Sequence, residues 1–161
     1  MGLKPASAEF PRLEHLEGCL VVVQGHELGN SPSTVKGAKE GATYDWVTAT
    51  VAVLDGEPDP EKIDTDGGLP IVLEDMRLSG AGLIPQLRSK VGKYDTDGTP
   101  KLSVGRVVRF KNSFGHDRSY KLDTPSEQDM TVAAGYVNEN PDVFPEKDPF
   151  EDDSKAAKAF A

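Results

Sequence analysis

Residues 44–54, Tyr-Asp-Trp-Val-Thr-Ala-Thr-Val-Ala-Val-Leu, carry the strongest folding constraint in the chain. Val47, Ala49, Val51 and Val53 fall on one side of an extended backbone, and Trp46, Thr48, Thr50 and Ala52 fall on the other. A period of two is incompatible with an amphipathic helix and demands a strand with its aliphatic face on a core. Four further segments read as strands between turn residues: 18–28, 69–78, 101–112 and 119–123. The 16 glycines and 12 prolines in 161 residues break the chain too often for a helical bundle or a coiled coil. A mainly β protein with short strands and turns is the expected class.

Two helices complete the pattern. In 80–91, Leu83, Ile84, Leu87 and Val91 recur at helical spacing, Pro85 sits in the first turn, and Gly92 stops the helix. In 125–137, Thr124 is the expected cap, Pro125 the first helical residue and Glu127 the capping-box partner. Met130, Ala133, Ala134 and Val137 would turn toward the sheet. Leu13 and Leu16 of the lead-in are expected core plugs. From residue 138 onward, acids, prolines and small residues predict a disordered acidic tail, so the expected domain spans 1–137 and the tail 138–161. Five strands with a helix between the third and fourth is the layout of a five-stranded OB-fold-like barrel. An α+β sandwich is the competing topology.

The net charge of −9 is unevenly spread. Residues 1–76 carry 5 basic and 14 acidic side chains, residues 77–124 carry 10 and 4, and residues 125–161 carry 3 and 9. A basic stretch inside an acidic protein points first to nucleic acid. A solvated face that offsets the acidic half is the plainer account of the same charges. The longest apolar run, Cys19–Val23, is far short of a membrane span, and the N-terminal residues do not read as a signal peptide. A single cysteine suits a reducing cytoplasm.

Motifs of catalysis are absent from the sequence. His15, His26, His116 and Cys19 lack zinc-ligand spacing, and there is neither a phosphate-binding glycine loop nor a nucleophile elbow. The two Asp-Thr-Asp-Gly stretches, 64–67 and 95–98, lack the remaining ligands of a calcium loop and read as turns. No enzyme activity, metal or cofactor is expected. A single-stranded nucleic-acid site needs aromatic faces and cations along a groove. Candidates are Trp46 with Thr48 on the second strand, and Lys36 and Lys39 in the first long loop. Arg106, Arg109, Lys111, Phe114, His116, Arg118, Tyr120 and Lys121 surround the turn between the last two strands. Alternation sets Val107, Arg109 and Lys111 against Arg106, Val108 and Phe110, and the sequence leaves open which set faces outward.

Several stretches together carry a family resemblance: Phe10–Gly18, Tyr44–Gly56, Leu83–Leu87, Lys90–Gly92, Val104–Arg106, Lys121–Pro125 and Asp148–Phe150. On these the chain resembles the single-stranded DNA-binding proteins encoded by bacteriophages of actinobacteria. It departs from them at Lys111–His116 and in the eleven residues after Phe150. The resemblance implies a non-catalytic OB-fold protein of phage DNA replication or recombination, working in the bacterial host cytoplasm. Arg106, Arg109, Lys111 and Arg118 would neutralise phosphates, while Trp46, Phe114 and Tyr120 would stack on bases. Phe144, Asp148, Pro149, Phe150, Glu151, Asp152 and Asp153 would form an acidic tail for replication or recombination proteins, and a homo-oligomer would suit cooperative coating of a strand. The alternative is an OB-like structural or adaptor domain whose basic hairpin binds a protein partner.

Overall fold

A computed structural model of the chain describes residues 12–32, 41–65, 67–80, 82–110 and 119–146. Five antiparallel strands form one sheet: β1 (Leu20–Pro32), β2 (Thr43–Asp55), β3 (Ile71–Ser79), β4 (Ser103–Phe110) and β5 (Ser119–Asp123). Their order is β3-β2-β1-β4-β5. The long, β-branched β1 and β2 lie near its centre, where a strand has a neighbour on both sides. Val47, Ala49, Val51 and Val53 are all buried, together with Val21 and Val23 from β1, Met76 and Leu78 from β3, and Val107 and Leu122 from β4 and β5. Leu13 and Leu16, on a 3-10 turn before β1, close this core, and Ile63, Leu83, Ile84 and Leu87 complete it.

The helix expected over 80–91 is shorter. α1 (Ile84–Leu87) gives way to a 3-10 turn at Arg88–Lys90, and Val91 is already extended. The Gly92 N–H then donates to the Gly25 carbonyl, so the chain beyond α1 runs along β1. α1 also finishes the sheet. Gln86 donates its side-chain amide to the Leu122 carbonyl at 2.7 Å and accepts from the Leu122 N–H at 2.9 Å. One side chain thereby satisfies both outward-facing backbone groups of that β5 residue, which a neighbouring strand would otherwise have to pair.

α2 (Glu127–Glu139) begins two residues later than expected. Ser126, not Thr124, is its cap, and Asp129 rather than Glu127 makes the reciprocal bond of the capping box. Its rotation also differs. Met130 and Ala134 face solvent, whereas Asp129 and Ala133 are buried and Tyr136 and Val137 pack beneath. The cause is electrostatic. Arg106 from β4 holds both Asp129 oxygens, through Nε at 3.1 Å and Nη2 at 2.8 Å. The same guanidinium reaches Asp55 at the end of β2 at 2.7 Å and donates to the Gly18 carbonyl at 3.1 Å. With residue 129 fixed on the sheet side, positions 133, 136 and 137 must follow it.

α2 covers a second, smaller core on the opposite face of the sheet, made by Val22, Ala52, Ala133 and Phe144, with Val104, Val137 and Val143 against them. This corrects the expected boundary at 137/138, because the packed unit continues past α2. It corrects Phe144 as well: the ring is 4% exposed and is a core residue rather than a partner-binding tail residue. An aromatic among prolines and acids has no periodic neighbours by which its burial could be read, and the sheet face that receives it is set by α2. No helix among the described residues is long and apolar enough to cross a membrane.

Two substitutions test these contacts. Gln86→Leu leaves a backbone donor and acceptor without partners and should lower stability by about 1–3 kcal/mol in urea unfolding. For Asp129, the bonds from Arg106 hold its carboxyl below the ordinary carboxylate range against the opposing effect of burial. A depressed folded-state pKa means stability that is full above the unfolded value and drains away as pH falls through the lower, folded one. Acid titration below about pH 4 should therefore loosen α2, read as faster hydrogen exchange in 127–139. Asp129→Asn should weaken the protein at neutral pH and flatten that acid limb.

Candidate functional site

Among the described residues, α2 and Phe144 cover one end of the sheet face that carries the second core. At the other end β2 presents Trp46 and Thr48, both half-buried, and the surface around them is built by two irregularities in the strands. On β1 the pairing steps from Gly25–Ala49 to Glu27–Thr48, leaving His26 as an extra residue. On β3 it steps from Val51–Leu73 to Ala49–Met76, so Glu74 and Asp75 together oppose Thr50. Asp75 takes a left-handed conformation, φ 57°, which aspartate tolerates better than most residues.

An extra residue reverses the parity of everything beyond it. In β3, Leu73 points to the core and so, three residues later, does Met76. Arg77 is consequently turned to the outer face, opposite Thr48. In β1 the same reversal brings Gly29 to the outer face, directly opposite Trp46. Thr50 lies between the two irregularities, and its hydroxyl shares a hydrogen with His26 Nε2 at 2.7 Å.

The indole is held on three sides. A Cβ built on Gly29 would stand 2.1–2.4 Å from the ring atoms Cζ2, Cη2 and Cε2, so the ring occupies the space of the missing side chain. Trp46 Nε1 donates to Ser31 Oγ at 2.8 Å. The Arg77 guanidinium carbon lies 4.0 Å from the ring centroid, a cation–π stack. Tyr44, exposed, lies two residues before Trp46 on the same side of β2. The arrangement can offer a fixed aromatic face and a planar cation to a flat, anionic partner.

Several of the described basic residues of 77–124 are engaged in separate ion pairs. Arg88 pairs with Asp45, Lys101 with Asp95 at 3.7 Å, Arg109 with Glu17 at 3.8 Å, and Arg106 with Asp55 and Asp129. Arg106 faces away from the main core but works as a structural clamp, with its charge already matched by two carboxylates. Arg109 is exposed on the side of β4 that carries Val107. Tyr120, opposite Arg109, packs against the main core and is not beside Trp46. Lys121 lies over the Phe110 ring, 5.2 Å from its centroid. Phe110 in turn fills the space that a side chain at Gly82 would need. Lys36, Lys39, Lys111, Phe114, His116, Arg118, Asp148, Pro149, Phe150, Glu151, Asp152 and Asp153 lie outside the described residues.

Trp46 and Thr48 are thus brought together as expected, with Arg77, Gly29 and Ser31 as neighbours that sequence reasoning missed. A signal for them exists. Apolar residues at 71 and 73 and then at 76 and 78 change parity within β3, as do Val21, Val23 and Leu28 in β1. In the Asp95–Gly98 turn, Thr99 donates to Asp97 from both its N–H and its hydroxyl, which holds the Asp97 carboxyl below its ordinary range. Among the described residues there is no cluster of three or more His, Cys, Asp or Glu side chains placed to hold a metal ion.

Gly29→Ala should force the ring out of its seat, shifting Trp46 emission toward that of an exposed indole and costing about 1–3 kcal/mol in urea unfolding. An unchanged emission spectrum would contradict this placement of the ring. Comparison with protein-family models, curated proteins and solved structures finds no match for this chain.

Proposed function

We propose that this protein binds single-stranded DNA without catalysis, through the outer face of β2 and β3. The observation that carries the reading is the seating of Trp46: a ring fixed by Gly29 and Ser31 and overlaid by an arginine. Fixing an aromatic ring beforehand reduces the entropy cost of stacking a base on it, and stacking contributes about 1–3 kcal/mol per base. Thr48 lies alongside to hydrogen-bond a base or phosphate. The strand order supports an OB-like barrel, in which β3 and β5 approach each other and α1 fills the gap through Gln86. The family resemblance supplies the setting: phage DNA replication or recombination in the host cytoplasm, with replication proteins as partners of residues 148–153.

A second reading, an adaptor domain that binds protein, draws on the ion pairs of Arg88, Lys101, Arg106 and Arg109, which leave fewer free cations than the sequence suggests. Titrating the full chain with oligo-dT at several salt concentrations separates the two. Strand binding should quench the single tryptophan and give a log–log salt slope of about −0.7 per phosphate contact. A protein with an unchanged Trp46 signal and no mobility shift on the oligonucleotide would be the adaptor.

A further inference from the structure

Arg77 stands apart from the other arginines described in the sheet and in α1 and the turn after it. Arg88, Arg106 and Arg109 each have a carboxylate partner, whereas the contact that defines Arg77 is the Trp46 ring. It is exposed and lies on β3 at the margin of the sheet, where its side chain has room to move. Its placement has a structural cost, because the outward turn of residue 77 depends on an extra residue in β3 with Asp75 in a left-handed conformation. Without that extra residue, Arg77 would point into the core. The guanidinium is planar and cationic, so it covers an indole face as a nucleobase would.

We propose that Arg77 is a displaceable cover for Trp46. In the free protein it holds the ring face; when single-stranded DNA binds, it yields that face to a base and moves to the neighbouring phosphate. This rests on the nucleic-acid reading above and adds to it a residue, a ligand group and an order of events. A cation already at the ring needs only a side-chain rotation to reach the backbone of a base stacked there. Guanidinium suits both positions, as a flat partner for the indole and as a bidentate donor to phosphate. A lysine could supply the charge but not the flat cover.

The test compares the full-length protein with Arg77→Ala and Arg77→Lys, using oligo-dT binding followed by anisotropy of a labelled strand and by Trp46 emission. Equal thermal midpoints and far-ultraviolet spectra establish that the variants fold. Arg77→Ala should alter the emission of the free protein, weaken binding about tenfold at low salt, and make the salt slope shallower by about 0.7. Arg77→Lys should recover the slope but not the free-protein emission. At saturating DNA, the emission spectra of all three proteins should converge, because a base then covers the ring in each.

Wild-type affinity and slope in Arg77→Ala would overturn the proposal while leaving strand binding intact. Bound spectra that differ as much as the free ones would also overturn it, since the guanidinium would then have stayed on the ring. A wild-type protein that binds no oligo-dT would instead remove the nucleic-acid reading itself. If Arg77→Ala does not fold, Arg77→Gln keeps a planar polar group without the charge, and the same slope comparison decides.

Discussion

The guanidinium of Arg106 is the point on which the two layers of the molecule depend. It lies between β4, the end of β2, the turn that enters β1, and the first turn of α2, and it donates to a group on each of the last three. A thirteen-residue helix is marginal alone in water, and α2 presents only Ala133, Tyr136 and Val137 as apolar groups on its sheet side. An ion pair with about two-thirds or more of each side chain withdrawn from solvent needs good geometry to be favourable; here the Asp129 carboxylate meets that demand by accepting two bonds from the guanidinium and one from the Ser126 N–H, while the Asp129 N–H donates to Ser126 Oγ. The carboxylate therefore both caps the helix and sets its rotation. Phe144 and Val143 pack on the sheet face that this docking defines.

The exposed half of the same face is organised by a different device. Neither Trp46 nor Arg77 is unusual as a residue type; what matters is the counting of residues between them and the core. His26 in β1 and the Glu74–Asp75 pair in β3 flank Thr50 from both sides, and each reverses the alternation of its strand. The result is a glycine on one side of the ring and an arginine on the other, contributed by two strands that do not pair with each other. Local departures from regular pairing have been converted into a three-strand cluster around one indole.

The strong alternation of 44–54 made the core face of β2 legible, and the aliphatic run of β1 did the same for the strand beside it. Loop-bounded Leu13 and Leu16 were also readable as core. The rotation of α2 was not, because hydrophobic spacing favoured Met130 and Ala134, while the sheet side is set by a buried carboxylate that such spacing treats as solvent-facing. The face of β4 that Arg109 shares was open in the alternation; at the end of that strand the arginine lies on the side of Val107 and still reaches water, and Tyr120 opposite it packs against the main core. Arg106 was recognisable as a cation, but its partners lie 51 and 23 residues away in sequence. The parity changes around residues 26 and 75 were present as spacing between apolar residues and would have exposed Gly29 and Arg77.

The two margins of the sheet are unlike. At β5 the amide of Gln86 occupies the backbone positions of Leu122 that an incoming strand would use, whereas among the described residues β3 ends the sheet with no strand beyond it. A sheet with two open margins can add copies of itself without limit, which is the geometry of a fibre. A sheet with one open margin can join at most one other, margin to margin, and the pair is then closed. A single glutamine on a four-residue helix thus takes up the two backbone groups of Leu122 and obstructs the addition of a strand at that margin.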